Sequence, residues 1–588
     1  MAAPRIIVVG GGLAGLAAVI KIAEAGGTVD LFSIVPVKRS HSVCAQGGIN
    51  AAKNLKGEGD TTAQHFDDTI YGGDFLANQT PVKAMCEAAP GIIDLLDRMG
   101  VPFNRTPEGL LDFRRFGGTL YHRTAFAGAT TGQQLLYALD EQVRRYEVEG
   151  KVKKYEGWEF LSAVLDSKGQ ARGITALNLR TMELQSFPAD AIILATGGIG
   201  AIFGKSTNSV VCTGSAQSAI FQQGAFYANG EFIQVHPTSI PGEDKLRLMS
   251  ESARGEGGRV WVPRKAGDSR PVKQIPAAER FYFLEEWYPK YGNLVPRDVA
   301  TRAIHKVVYE LGLGLEGQPM VYLDLTHIDR ETLHHKLGGI LEIYEKFVGV
   351  DPCVEPMKIF PGMHYTMGGL WVDANQMTNI PGIFAAGECE YQYHGANRLG
   401  ANSLVSCIFG GFQTGPNALQ FAKNATASDD KNPHEQEVAR QAEINKNLMS
   451  NQGGENPFRL WRELGQTMTE HATVIRYNKN LQRADEKIVE LIDRYKNVNL
   501  SDRSQWANTS FAFARQLKNM LELSRTVVLG AMLRDESRGA HYKPDFPERN
   551  DEKFLKTTKA SFTGDVSGPR FEYEDVDTQY IKPRPRRY

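Results

Sequence analysis

Arg5-Ile6-Ile7-Val8-Val9-Gly10-Gly11-Gly12-Leu13-Ala14-Gly15-Leu16-Ala17-Ala18-Val19-Ile20-Lys21-Ile22-Ala23 is the stretch that decides the fold. A β-branched run reads as a strand, the glycines as a tight turn, and the residues after them as a helix. A second strand candidate follows at Val29-Asp30-Leu31-Phe32. That order turns a weak GxGxxG match into a dinucleotide-binding fingerprint. Gly10 permits the turn, Gly12 lets the backbone approach a pyrophosphate, and Gly15 lets helix and strand pack closely. The N–H groups at the helix start then face the phosphates.

Ser33 stands where this fold usually carries Asp or Glu to hold a ribose, and its hydroxyl can accept that bond more weakly. Further on, Ala189-Asp190-Ala191-Ile192-Ile193-Leu194-Ala195-Thr196-Gly197-Gly198 reads as a buried strand ending in a glycine turn. Ile380-Pro381-Gly382-Ile383-Phe384-Ala385-Ala386-Gly387-Glu388 repeats that pattern late in the chain. Two such pieces so far apart imply one nucleotide-binding domain interrupted by an insertion, from about Ile240 to Val354. After Lys423 the residues Asn424 to Pro433 read as a linker, and a polar helical pattern runs from His434. Ile581-Lys582-Pro583-Arg584-Pro585-Arg586-Arg587-Tyr588 is proline-stiffened and basic.

The chain has 588 residues, too many for one core, with 42% hydrophobic and 23% charged residues. A formal net charge of −1 gives no electrostatic footprint for nucleic acid. No apolar run approaches the roughly 18 residues a membrane helix needs, so membrane association is expected through another protein. The first residues enter a fold motif at once, which argues against an export signal. The six cysteines show no CxxC pair and no metal-ligand spacing, so reduced thiols in a cytosolic compartment and no metal site are expected.

Ser40-His41-Ser42-Val43-Cys44-Ala45-Gln46-Gly47-Gly48 places a histidine beside the dinucleotide site. The segment resembles the flavin-attachment segment of succinate dehydrogenase and fumarate reductase flavoproteins. Further matches follow in the family's order: Tyr71 to Asp74, Arg114 to Gly118, Arg123-Thr124, Glu231 to Thr238, and Ser250 to Gly258. Pro296 to Ala300, His364 to Gly369, His394 to Leu404, and Glu536 to His541 complete them.

The resemblance implies an α/β fold: a Rossmann-like FAD-binding domain interrupted by an α+β capping domain, then a helical domain and an extended C-terminal tail. Its expected boundaries are 1–239 with 355–423 for the FAD domain, 240–354 for the cap, 434–550 for the helices and 551–588 for the tail. It implies FAD joined through its 8α position to His41. Gly10, Gly12, Gly15, Ser33, Ser40, Ser42, Gln46, Gly47, Gly48, Ala195, Thr196 and Gly197 would contact that cofactor. Glu388 resembles the residue that bonds the ribityl chain. Ser403 and Leu404 would lie against the isoalloxazine at a helix N-terminus, whose dipole favours the reduced anion.

Succinate and fumarate carry two carboxylates and need cationic and hydrogen-bonding groups at both ends. By resemblance His236, Ser250, His364 and Arg398 are those clamps, with Phe116 packed nearby. The family assigns proton transfer to the arginine matching Arg297, with Glu251 and Arg254 relaying to solvent. An arginine is an awkward acid, although neighbouring positive charge can lower its pKa. Expected partners are an iron–sulfur subunit and a membrane-anchor cytochrome b that passes electrons to quinone, at the cytoplasmic face of the membrane. The wording around His41 and Arg114 is similar to the branch with a single di-haem anchor. Rival readings are an L-aspartate oxidase, a soluble fumarate reductase, and a non-catalytic flavin-binding assembly subunit. His41 argues against the first two, and the joint presence of His236, Glu251, Arg297, His364 and Arg398 against the third.

Overall fold

The apolar run Arg5–Val9 is the middle strand of a five-stranded parallel sheet. Ala191–Leu194 and then Ile383–Ala385 pair on one side of it, Thr28–Ser33 and then Val152–Glu156 on the other. Parallel strands are covered on both faces, which is why Ala191-Ile192-Ile193-Leu194 carries no polar residue and is wholly buried. The helix Leu13–Glu24 lies on this sheet beside the long helix Asn402–Asn424. Close approach there depends on glycine: a Cβ on Gly411 would sit 2.3 Å from the Ala14 carbonyl oxygen. The computed structural model describes residues 4–242, 245–426, 428 and 430–588.

The insertion builds a six-stranded sheet in the order Arg247–Leu248, Ile233–Ile240, Met357–Thr366, Val321–Asp324, Arg259–Pro263 and Arg280–Phe281. A separate apolar core beginning at Ile240 and ending at Ile359 holds it together with the helices Arg297–His305 and Arg330–Val348. The latter is capped at both ends, by the Asp329 carboxylate on the Thr332 N–H and by Gly349 at φ +78. Ile233–Ile240 and Met357–Thr366 run from the flavin side into the cap, their pairing shifting register between Gln234 and Val235 and again between His236 and Ser239.

Four helices follow: Asn432–Ser450, Pro457–His471, Asn478–Tyr495 and Thr509–Leu533. The linker expected at 424–433 ends early, because Pro433 already occupies the first turn of its helix. Ala427 and Asp429 of that linker, Met1–Ala3 at the start, and Glu243 and Asp244 of the cap lie outside the described residues. Leu481, Ala484, Ile488 and Leu491 recur at helical spacing and join the same core as Ile192 and Leu194 of the parallel sheet.

The tail expected at 551–588 is not a free extension. Lys556–Ser561 and Arg570–Asp575 form a hairpin that adds to Tyr227–Ala228 and Gly369–Leu370 in a four-stranded sheet. The basic end also folds onto the body, with Arg584 on Asp67 and Arg586 on Asp298. Acidic partners, Asp298 fully buried and Asp67 part-exposed, decide its place, and the prolines only straighten it. No helix among the described residues is long and apolar enough to cross a membrane.

Candidate active site

One elongated cavity of about 450 Å³ runs from the glycine turn to the face of the cap. At one end Gly10, Gly12, Ala195, Thr196 and Gly197 line it. Gly10 has φ +115, and a Cβ on it would sit 2.1 Å from the Ala195 carbonyl oxygen. Gly15 does not line the cavity; its hydrogen faces the Gly10 carbonyl, where a Cβ would fall 1.8 Å away. The Ser33 hydroxyl donates to Val35 O at 2.6 Å, which leaves its lone pairs toward the cavity as acceptors. Ser42 accepts the Leu13 N–H at 3.2 Å and so joins the attachment segment to the helix start.

Mid-cavity stands His41, in the short turn His41–Cys44. The Ser209 N–H donates to its Nδ1 at 3.2 Å, which occupies that lone pair and puts the ring proton on Nε2, 3.4 Å from Asn208 Nδ2. Burial, reinforced by Lys245, lowers the ring's pKa to about 4 and keeps it neutral. Glu388 accepts from Thr366 N at 3.0 Å and is raised to about 7 by burial. Gln46, Gly47 and Gly48 form one wall, where Gly47 leaves room for the Phe116 ring, 2.5 Å from where its Cβ would be. Ala401, left-handed at φ 63, turns the chain into the helix Asn402–Asn424, so that Ser403 and Leu404 at its start border the cavity.

The cap end gathers charge. Glu251 is fully buried between two arginines: Arg297 Nε donates to its Oε2 at 2.9 Å and Arg254 Nη2 to its Oε1 at 2.6 Å. Burial alone would raise the Glu251 carboxyl, but Arg297 and Arg254 outweigh it and hold it below its ordinary value. Arg254 continues to Asn293 O at 2.7 Å; it stands behind Glu251 and does not itself line the cavity. Arg297 Nη1 donates to Gln234 Oε1 at 2.9 Å.

His236 and His364 face each other from adjacent strands with ring centroids 5.0 Å apart. Burial, then the surrounding cations, drives both well below the usual histidine range, so both are neutral. Thr238 N donates to His236 Nδ1 at 3.2 Å while the Thr238 hydroxyl donates to Met249 O at 2.8 Å. That assigns the His236 proton to Nε2, which is buried with no partner among the described residues. Ser250 shares a hydrogen bond with Ser252 at 2.7 Å. Arg398 is 2% exposed, stacks on Tyr365 at 4.3 Å, and has its Nε buried without a partner among the described residues. Burial and then Arg297 lower its pKa to about 9.

Sequence reasoning missed the groups that hold these side chains. Thr207 meets His364 Nδ1 at 2.7 Å, Asn208 donates to His364 O at 2.7 Å and faces His41, and Lys245 approaches the same wall. A run such as Ser206-Thr207-Asn208-Ser209 carries no chemical signature of its own. Gln234 and Thr238 lay inside a quoted motif, where their polar alternation along a buried strand was the available signal.

The FAD binding domain family model matches residues 5–404 and the fumarate reductase flavoprotein C-terminal model residues 461–588. The succinate dehydrogenase flavoprotein subunit of Bacillus subtilis is 63% identical over 591 residues, covering 100% of this chain and 99% of that protein. The chain belongs to the succinate dehydrogenase/fumarate reductase flavoprotein family. The fumarate reductase flavoprotein subunit of Escherichia coli is 34% identical over 589 residues, covering 99% of this chain and 95% of that protein. A solved E. coli quinol fumarate reductase superposes on this flavoprotein with TM-score 0.89 at 33% identity, covering 100% of this chain and 99% of that one.

As a member of that family the flavoprotein is an FAD-dependent oxidoreductase. Its own residues fit the cofactor. Polar atoms of Ser40, Gln46 and Thr196, all lining the cavity, are buried without partners, and the glycine turn leaves a groove that any Cβ would close.

Proposed function

We propose that this flavoprotein is the catalytic subunit of a succinate:quinone oxidoreductase, interconverting succinate and fumarate. The observation that carries the proposal is Arg398: a buried guanidinium whose Nε lacks a partner among the described residues, in a cavity shared with Arg297 and with the Nε2–H of His236, likewise without a partner among them. Buried cations are retained when paired, so this site is built for an anion. Neutral His236 and His364, with Ser250, add donors without adding charge, which suits a dianion that two arginines already balance. Phe116 supports an apolar stretch between the carboxylates.

FAD, when bound, supplies the two-electron acceptor for the hydride that leaves one methylene carbon of succinate. His41 is the proposed attachment point, through Nε2, and Glu388, Ser403 and Leu404 border the place of the ring system. The neighbouring carbon of succinate must lose a proton, and Arg297 is the group proposed to accept it as it hands one of its own guanidinium protons to Glu251. Glu251 bridges Arg297 to Arg254 by hydrogen bonds of 2.9 and 2.6 Å, a continuous route for that proton away from the cavity. In the reverse direction the same groups return it. Closure of the cap, which carries Ser250, Glu251 and Arg297, completes the site and excludes water.

Electrons leave, in this reading, through an iron–sulfur subunit to a cytochrome b anchor of the single di-haem type and to quinone. The chain sits peripherally at the cytoplasmic face of the membrane. The test is turnover by the flavin-loaded protein with artificial dyes, succinate as donor or fumarate as acceptor. Butyrate, with one carboxylate, should be inert; butyrate turnover equal to that of succinate would remove the reading.

A further inference from the structure

Residues 584–588 cross the seam between the flavin domain and the cap. On the flavin side Arg584 pairs with Asp67 at 2.5 Å, and the Tyr71 hydroxyl donates to Arg587 O at 3.1 Å. On the cap side the Tyr588 ring packs against Tyr291, centroids 5.1 Å apart. Between them Arg586, with its side chain 9% exposed, reaches Asp298 through Nη1 at 2.8 Å and Nη2 at 3.2 Å. Asp298 is the residue after Arg297, in the first turn of the helix Arg297–His305, and its carboxylate is fully buried.

Asp298 is also one member of a ring of bonds around the site. Its Oδ1 accepts from Asn397 Nδ2 at 3.1 Å, and Asn397 immediately precedes Arg398. Asn397 Oδ1 accepts from Gln234 Nε2 at 2.9 Å, and Gln234 Oε1 accepts from Arg297 Nη1 at 2.9 Å. The ring closes through the backbone between Arg297 and Asp298. Arg586 joins this ring at Asp298, from outside the flavin domain and the cap.

We propose that Arg586 is a positioning residue for Arg297, acting through Asp298; the inference rests on the proton-transfer role proposed above for Arg297. Without Arg586 the buried Asp298 carboxylate keeps one cation contact, Arg302 at 3.4 Å. Its bond to Asn397 then shifts, and with it the hold of Asn397 on Gln234 and of Gln234 on the Arg297 guanidinium. A displacement of Arg297 by about 1 Å is enough to cost roughly 10²-fold in rate.

The experiment compares wild type, Arg586→Ala, Arg586→Lys and Arg297→Lys as flavin-loaded proteins. Arg586→Ala should lose roughly 10²-fold in kcat, with flavin content unchanged and fumarate affinity, read from the flavin absorbance, within about threefold. Arg586→Lys should recover to within about tenfold of wild type, because the charge on Asp298 is restored. Added methylguanidinium should raise the turnover of Arg586→Ala saturably and leave wild type unaffected.

Loss of turnover together with flavin loss, and no rescue by either cation, would make Arg586 merely structural and overturn the proposal. Normal turnover in Arg586→Ala with an inactive Arg297→Lys removes this proposal alone; normal turnover in both removes the role of Arg297 with it. Should Arg586→Ala fail to accumulate, Arg586→Ala combined with Asp298→Asn carries the same test, since a neutral amide needs no cation. Turnover within about tenfold of wild type then supports the proposal, and inactivity overturns it.

Discussion

Arg297→Lys separates the charge of Arg297 from its geometry. The guanidinium makes three bonds in two directions, Nε at 2.9 Å and Nη2 at 2.8 Å to Glu251 Oε2, and Nη1 at 2.9 Å to Gln234. An ammonium is a point donor and cannot keep both acceptors in one plane. Losing the fork removes proton transfer by a positioned group, worth roughly 10²–10⁴-fold. Displacement of whatever proton carrier remains adds a further loss of roughly 10²-fold. Turnover should therefore fall by about 10⁴-fold or more, equivalent to ~5.5 kcal/mol of barrier. Affinity should fall far less, because Arg398, His236 and His364 are untouched. At an unchanged flavin potential the equilibrium of succinate and oxidised flavin with fumarate and reduced flavin is fixed, so kcat/KM must drop by the same factor in both directions. Dye-coupled assays run both ways measure the rate, and the flavin absorbance change with fumarate measures binding. Turnover within about tenfold of wild type would show that another group moves the proton.

Three further outcomes are expected. His41→Ser should leave FAD bound but extractable by acid, so that the flavin fluorescence of the denatured band disappears; fluorescence that persists would place the bond elsewhere. His65, buried against Asn402, is held near a pKa of about 3 by burial and then by Arg123, whereas the unfolded ring titrates near 6.5. The unfolded chain therefore binds the proton first, and stability is lost as pH falls below 6.5 toward 3, with this residue contributing ~2 kcal/mol of that loss by pH 5. His65→Gln should flatten the acid limb of the thermal midpoint, and an unchanged limb would refute the assignment. Truncation at Phe571 deletes the second hairpin strand along with Arg586, so it should destabilise the fold and abolish turnover with artificial dyes; a truncated protein with full dye activity would show that the hairpin and Arg586 are dispensable.

The parallel sheet was legible because each of its pieces is written locally: an apolar β-branched run that ends in glycine. His41, Glu251, Arg297 and Arg398 were legible because reactive residue types stand out in their motifs. Thr207, Asn208 and Gln234 were not, since ordinary polar residues acquire their roles only from what the fold brings opposite them. The hairpin at 556–575 was missed for a similar reason. Its partner strand Tyr227–Ala228 is two residues long and more than three hundred positions away, a distance at which no local pattern speaks. The basic residues of 584–587 resemble a free polar tail until Asp67, Asp74 and Asp298 are seen beneath them.

The two strands that run from the flavin side into the cap, Ile233–Ile240 and Met357–Thr366, are placed as the fulcrum of a lever would be. His236 and His364 sit on that fulcrum, while Ser250, Glu251 and Arg297 ride on the arm. In the closure proposed above, rotation of the arm would sweep Arg297 through an arc and leave the two imidazoles almost still. A dicarboxylate can thus be weighed by the histidines and Arg398 before the arm comes down. The hold proposed for the two histidines and Arg398 would then be mechanically separate from the proton transfer proposed for Arg297, so a change in the arm's travel would alter how fast the molecule works more than what those three residues hold.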